Sequence, residues 1–236
     1  MIKACIFDLD GTLSDTVTSI AFSANNSLKK EGLIELPKDN FKYYAGNGAG
    51  ELVRRYLKDT KREIVPGIEL NKGALTHDPK NENDFQYYLD SYMSEFSKYC
   101  MYEVKPYAGI TELLDELKKR GIKLAVLSNK PDEQTKEVVA DLFGTGFFDR
   151  VYGHRPSVER KPSPVGALQI ASELSVKPEE CMYFGDTDTD MQTGKNAGML
   201  TVGVLWGFRD RDELQENGAD IIISTPREIM EYIEAL

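Results

Sequence analysis

The chain has 236 residues, 41% hydrophobic and 29% charged, a balance that fits a soluble globular protein with room for one large domain or two modest ones. Its formal net charge of −10 argues against nonspecific binding to nucleic acid or to an anionic membrane, both of which need a basic surface. Three cysteines without a CxxC pair, no apolar span of about 18 residues and a first strand that begins at Ile2, leaving no room for a signal peptide, lead us to expect a reducing, cytoplasmic setting.

The first predicted element is the apolar run Ala4-Cys5-Ile6-Phe7, a buried strand of a parallel sheet bounded by a glycine turn. Asp8 and Asp10 follow it directly, in the sequence Asp8-Leu9-Asp10-Gly11-Thr12. Ligands of such sheets bind beyond the carboxyl ends of the strands, so two acids there sit where chemistry is expected. Residues 15–103 read differently, with helical patterns over 17–31, 49–58 and 85–101 and no convincing strand. Eight of the twelve tyrosines fall in this segment, at a spacing that packs a small helical core. A polar stretch over 59–84, with Pro66, Gly67, Gly73 and Pro79, is longer than a tight connection needs.

From about residue 105 onward, apolar strands alternate with helices. Strands are predicted at 122–128, 148–152, 181–185, 200–206 and 219–224. Helices are predicted at 109–120, 131–142, 164–174 and 187–197, with a last one opening at Thr225-Pro226-Arg227-Glu228, where Thr caps and Glu stands at N3. This alternation implies α/β architecture: a doubly wound, Rossmann-like parallel sheet core, residues 1–14 and 104–236, with a second, smaller all-helical domain over 15–103.

Four segments fall at predicted strand ends or helix starts and can converge at one edge of the sheet: Asp8/Asp10, Ser128-Asn129-Lys130-Pro131, Arg160-Lys161-Pro162-Ser163, and Gly185-Asp186-Thr187-Asp188-Thr189-Asp190. Taken singly, an Asp-rich helix start, a capped turn and a solvated lysine are ordinary. Together they are what phosphoryl transfer needs. Asp8 is the expected nucleophile, giving an aspartyl-phosphate, and Asp10 the acid and then the base. A hard divalent cation, Mg²⁺, is expected on the Asp8 carboxylate, the Asp10 carbonyl and Asp186, with Asp190 acting on bound water or on Lys161. Ser128 and Lys161 complete the catalytic set by holding phosphate oxygens and offsetting charge, while Gly11, Thr12, Asn129 and Lys130 are expected to bind substrate. His77 and His154 are too few and too far apart in sequence to form a metal cluster.

With these motifs in place, the chain resembles the haloacid dehalogenase superfamily of phosphatases over essentially its whole length. Asp8/Asp10 match its DxDGT motif, Ser128 its Ser/Thr motif, Lys161 its lysine and Asp186/Asp190 its acidic motif. The segment 15–103 resembles the helical cap of members with an early insertion. The phrases at 46–49, 128–131, 161–164 and 204–207 resemble the phosphoglycolate phosphatase subfamily. The resemblance implies a cap that closes over the core, with Gly46, Asn47 and Gly48 as a loop near substrate and Arg54 (or its neighbour Arg55) available for a distal carboxylate or phosphate. The expected partner is a small phosphorylated metabolite, with no nucleic acid and no membrane, and the oligomeric state is left open. Three other outcomes use the same core residues: a sugar-phosphate mutase, an inorganic pyrophosphatase, and a non-enzymatic phospho-receiver. Asp10 speaks against the last, since an acid/base group there releases a phosphoryl group rather than storing it.

Overall fold

Strand β1, Ala4–Phe7, is buried at every residue, the signature of a central strand covered on both faces. It belongs to a computed structural model that describes residues 1–63 and 67–235, the last two in backbone only; Pro66 of the polar stretch lies outside the described residues. Two two-residue strands, β2 (Ser14–Asp15) and β3 (Lys105–Pro106), pair antiparallel at positions where no strand was predicted. The remaining strands are β4 (Lys123–Pro131), β5 (Arg150–His154), β6 (Cys181–Gly185), β7 (Leu200–Val204) and β8 (Ile221–Ile223). All neighbours in the main sheet are parallel, in the order β5-β4-β1-β6-β7-β8. The chain winds outward on one side of β1 and then returns to build the other side. The carboxyl ends of β1 and β6 therefore flank the crevice where such sheets bind ligands.

The chain divides into two units, Met1–Asp15 with Lys105–Leu236, and Thr16–Val104. The second unit is helical: α1 (Val17–Lys30), α2 (Phe41–Tyr44), α3 (Ala49–Asp59) and α4 (Phe85–Tyr99). Its core is aromatic, as the tyrosine spacing implied. Tyr56, Tyr88 and Tyr92 are buried, with the Tyr92 ring stacked on Phe96 at 5.4 Å and edge-on to Tyr56 at 6.2 Å. Burial of these rings, rather than propensity, stabilises such short helices.

In the first unit the helices are α5 (Ile110–Lys119), α6 (Asp132–Phe143), α7 (Val165–Glu173), α8 (Asp188–Asn196), α9 (Arg211–Glu216) and α10 (Glu228–Ala235). Helix α7 covers one face of the sheet, packing Ala167, Ile170 and Ala171 against Ile6, Leu127 and Tyr183. Two elements depart from expectation. β4 does not stop at Ser128: a register shift between Leu127 and Pro131 lets the strand bulge and re-pair with β5 at His154. Ser128, Asn129 and Lys130 thus stand on an irregular strand end, not on a capped turn. Helix α9 was not foreseen, because RDELQE is short and polar; it is started by the Asp210 side chain accepting from Glu213 N at 3.1 Å. The three cysteines are free and buried, and no described helix is long and apolar enough to cross a membrane.

Candidate active site

The acids gather because two neighbouring strands end together. Phe7 of β1 pairs with Phe184 of β6, and Asp8 N donates to Phe184 O at 2.9 Å. Asp8 and Asp186 therefore leave the sheet side by side at its carboxyl edge. One carboxylate oxygen from each of Asp8, Asp186 and Asp190 lies within 4.8 Å of the others, and all three residues are buried. Asp190 reaches the group from the first turn of α8, where it forms a capping box: its Oδ2 accepts from Thr187 N at 3.2 Å and from Thr187 Oγ1 at 2.8 Å. This close fit requires glycine at the end of β6, since a Cβ on Gly185 would fall 2.0 Å from Asp190 Cβ.

Lys161 sits inside this cluster. Its ammonium donates to Asp190 Oδ1 at 2.6 Å and lies 2.8 Å from Asp8 Oδ1. The latter is a charge contact without hydrogen-bond alignment, so the shielded Oδ1 of Asp8 accepts no hydrogen bond. The backbone of Lys161 is clamped by Asn129, which donates Nδ2 to Lys161 O at 3.1 Å and accepts at Oδ1 from Lys161 N at 3.0 Å. The side-chain amide expected on substrate thus holds the lysine loop.

Asp186 is held from the opposite side. Thr12 Oγ1 donates to its Oδ1 at 2.9 Å and Phe208 N to its Oδ2 at 2.8 Å, while Trp206 Nε1 donates to Thr12 O at 3.0 Å. Gly11 has a φ of +87°, and a Cβ there would meet Asp186 Oδ2 at 2.2 Å, so this turn closes on the carboxylate only as glycine. Asp10 stands beside the cluster, and Lys130 Nζ donates to its Oδ1 at 2.9 Å. Ser128 is buried, its Oγ accepting from Lys130 N at 3.2 Å. Sequence reasoning named Thr12, Asn129 and Lys130 as site residues without foreseeing these contacts; the phrase 204–207 included Trp206 but gave it no role, and Phe208 was not singled out.

Charge is unevenly matched here. Burial pushes the Asp8 carboxyl up to about 7, Lys161 pulling it down and Asp190 and Asp10 pushing further up. Burial, then Asp190 and Asp8, raises Asp186 well above the carboxylate range. Burial works against the Lys161 ammonium, yet Asp190 and Asp8 outweigh it and hold its pKa well above the ordinary value. Three buried carboxylates thus face one buried ammonium, and their donors are all oxygen. That set fits a hard divalent cation.

In the helical unit, Gly46 and Gly48 take positive φ and Gly48 precedes α3. Asn47 Oδ1 accepts from Arg55 Nη2 at 2.5 Å, and Arg55 Nη1 donates to Tyr44 O at 3.1 Å, so Arg55 braces this loop. Arg54 pairs with Glu82 and Glu51 and lies over the Phe85 ring at 3.8 Å. His77 stacks on Tyr87 at 4.0 Å.

Residues 5–204 match the model of the family described as haloacid dehalogenase-like hydrolase. The chain belongs to that family. Among haloacid dehalogenase-like proteins it is 32% identical to the phosphoglycolate phosphatase of Aquifex aeolicus, over 98% of this chain and 97% of that one. It is 31% identical to the phosphoglycolate phosphatase of Neisseria meningitidis, over 99% and 94% of the two chains. A crystal structure of a protein from Lactobacillus delbrueckii subsp. bulgaricus superposes with a TM-score of 0.84 at 29% identity, covering 98% of each chain. The haloacid dehalogenase-like core of this chain is the six-stranded parallel sheet with flanking helices described above.

Proposed function

We propose that this protein is a phosphatase of small phosphate monoesters, with phosphoglycolate the first substrate to test, and that it works through a phosphoryl group carried on Asp8. The observation that carries the reading is the buried set of Asp8, Asp186 and Asp190 around Lys161, with Asp10 alongside. The names of the Aquifex and Neisseria relatives favour it over a mutase, a pyrophosphatase or a receiver.

In the proposed reaction a carboxylate oxygen of Asp8 attacks phosphorus, forming an O–P bond as the ester O–P bond breaks. Asp10 gives its proton to the leaving alkoxide. Asp10 then takes a proton from water, whose oxygen attacks the aspartyl-phosphate; inorganic phosphate leaves and Asp8 is restored. Ser128 holds a phosphate oxygen, and Lys161 offsets the charge that builds on the phosphoryl group. Mg²⁺ is the proposed cofactor, held by the carboxylates of Asp8 and Asp186 and the Asp10 carbonyl, with Asp190 supporting from behind through Lys161; when bound it supplies the positive charge that lets these anions face a phosphate dianion. The catalytic core is proposed as residues 1–14 with 104–236. Residues 15–103 are proposed as a cap that selects substrate, with Gly46, Asn47, Gly48 and Arg54 as its candidate contacts. A cytoplasmic location belongs to the same proposal, supported by three unbridged thiols.

The test is release of inorganic phosphate from phosphoglycolate by the purified protein. Turnover with Mg²⁺ that EDTA abolishes and fresh Mg²⁺ restores is the expected result; no turnover of any phosphate monoester with Mg²⁺ present would contradict the proposal.

A further inference from the structure

Tyr183 lies in the middle of β6, and its ring belongs to the apolar core between the sheet and α7. A Cβ on Gly194 would come within 3.0 Å of Tyr183 Cβ, so the ring is packed from the α8 side as well. The residue is fully buried, and its hydroxyl makes no hydrogen bond. Phenylalanine would fill the same space without hiding a polar group, so packing does not account for the oxygen.

The surroundings of the hydroxyl do. The charged groups that face it are the Lys161 ammonium, Asp190 and Asp8, the same three that meet at the catalytic cluster. An ammonium has three protons to place. Lys161 gives one to Asp190, and its contact with Asp8 is not aligned as a hydrogen bond, while the Tyr183 hydroxyl nearby is a buried acceptor without a partner. A phenol is neutral near neutral pH without any help from its surroundings, so its oxygen is an uncharged acceptor.

We propose that Tyr183 is a positioning residue for Lys161: its hydroxyl accepts an ammonium proton and keeps the lysine in place while Asp8 is esterified. The inference rests on the phosphoryl-transfer reading. When the Asp8 oxygen bonds to phosphorus, its carboxylate charge is lost and the Lys161–Asp8 ion pair weakens. Asp190 alone would then hold the ammonium, which could swing away from the phosphoryl group as the second step begins. The phenol oxygen supplies a partner that does not change charge during the cycle.

The test is Tyr183→Phe, which removes one oxygen and leaves the ring. With phosphoglycolate and Mg²⁺ the expected result is a fall in kcat of roughly tenfold with KM within about twofold, since a group that acts through the lysine in the transition state changes turnover rather than binding. The melting temperature should hold, because the substitution removes one oxygen and leaves the packing of the ring intact. An unchanged kcat would overturn the inference, and so would a loss of activity that merely follows a loss of folded protein. A wild-type protein with no phosphatase activity would defeat the underlying reading; an active wild type matched by Tyr183→Phe would defeat only the role of Tyr183.

Discussion

The side chain of Lys130 is 2% exposed and its Nζ ends 2.9 Å from Asp10 Oδ1, so a buried lysine reaches the proposed acid and base directly. A side chain that fixes the proposed acid and base acts on turnover; one that binds substrate acts on affinity. Lys130→Met is therefore expected to lower kcat by about tenfold or more while KM changes little, because Asp10 loses the partner that aims it. A raised KM with unchanged kcat, measured on phosphoglycolate, would return Lys130 to the substrate-binding role its sequence position suggested. Placement that follows from residue type and position was legible: Asp8, Asp10 and Asp186 are acids at strand ends, and Lys161 is a cation beside Asp8. Contacts that depend on the third dimension were not. Nothing in CMYFG marks Tyr183 as more than core, and a threonine in a turn gives no sign that its hydroxyl will reach a carboxylate 174 residues away.

Among the elements, β6 and the first turn of α8 form the most tightly specified joint. Gly185→Ala would drive a Cβ into Asp190, whose Oδ1 holds Lys161. Overpacking of this kind costs about 1–3 kcal/mol, read as a lower denaturation midpoint. Displacing Asp190 also loosens Lys161, so kcat should fall by roughly a hundredfold, beyond what lost stability explains. An alanine variant with wild-type turnover would show that the joint tolerates what its geometry forbids. Strand and helix positions in the core were legible because apolar runs alternate with amphipathic ones; β6 begins and ends where the pattern places it. The bulged end of β4 was not, since polar Ser-Asn-Lys reads as a turn until the pairing with β5 is known. The pairing of β2 with β3 joins Ser14 to Pro106 and Asp15 to Lys105, far beyond the reach of local pattern.

Taken whole, the chain was legible as a parallel sheet interrupted by a helical segment, because β-branched runs vanish between residues 15 and 103 while tyrosines accumulate. The charge imbalance at the sheet's edge was legible only as a count of acids; their burial had to be seen. That burial has a consequence for stability. Asp8 rises from 3.8 in the unfolded chain to about 7 in the metal-free fold, so across that window the folded protein binds more protons than the unfolded one. Stability of the metal-free protein must therefore decline as pH rises from 3.8 toward 7, through the Asp8 carboxyl, with Asp186 shifted in the same direction. His154 pulls the other way, since burial and then Arg160 lower its pKa, and it is intact in Asp8→Asn, which serves as the control. A divalent cation on the carboxylates reverses the penalty by binding the folded form alone.

Thermal melting of the metal-free protein at about pH 5.5 and about pH 7.5, with and without millimolar Mg²⁺, tests the buried carboxylate cluster most directly. The account predicts a lower melting temperature at the higher pH, a decline that shrinks in Asp8→Asn, and recovery of roughly 3 °C or more when Mg²⁺ is added there. A melting temperature that does not fall between the two pH values and does not respond to Mg²⁺ would contradict it.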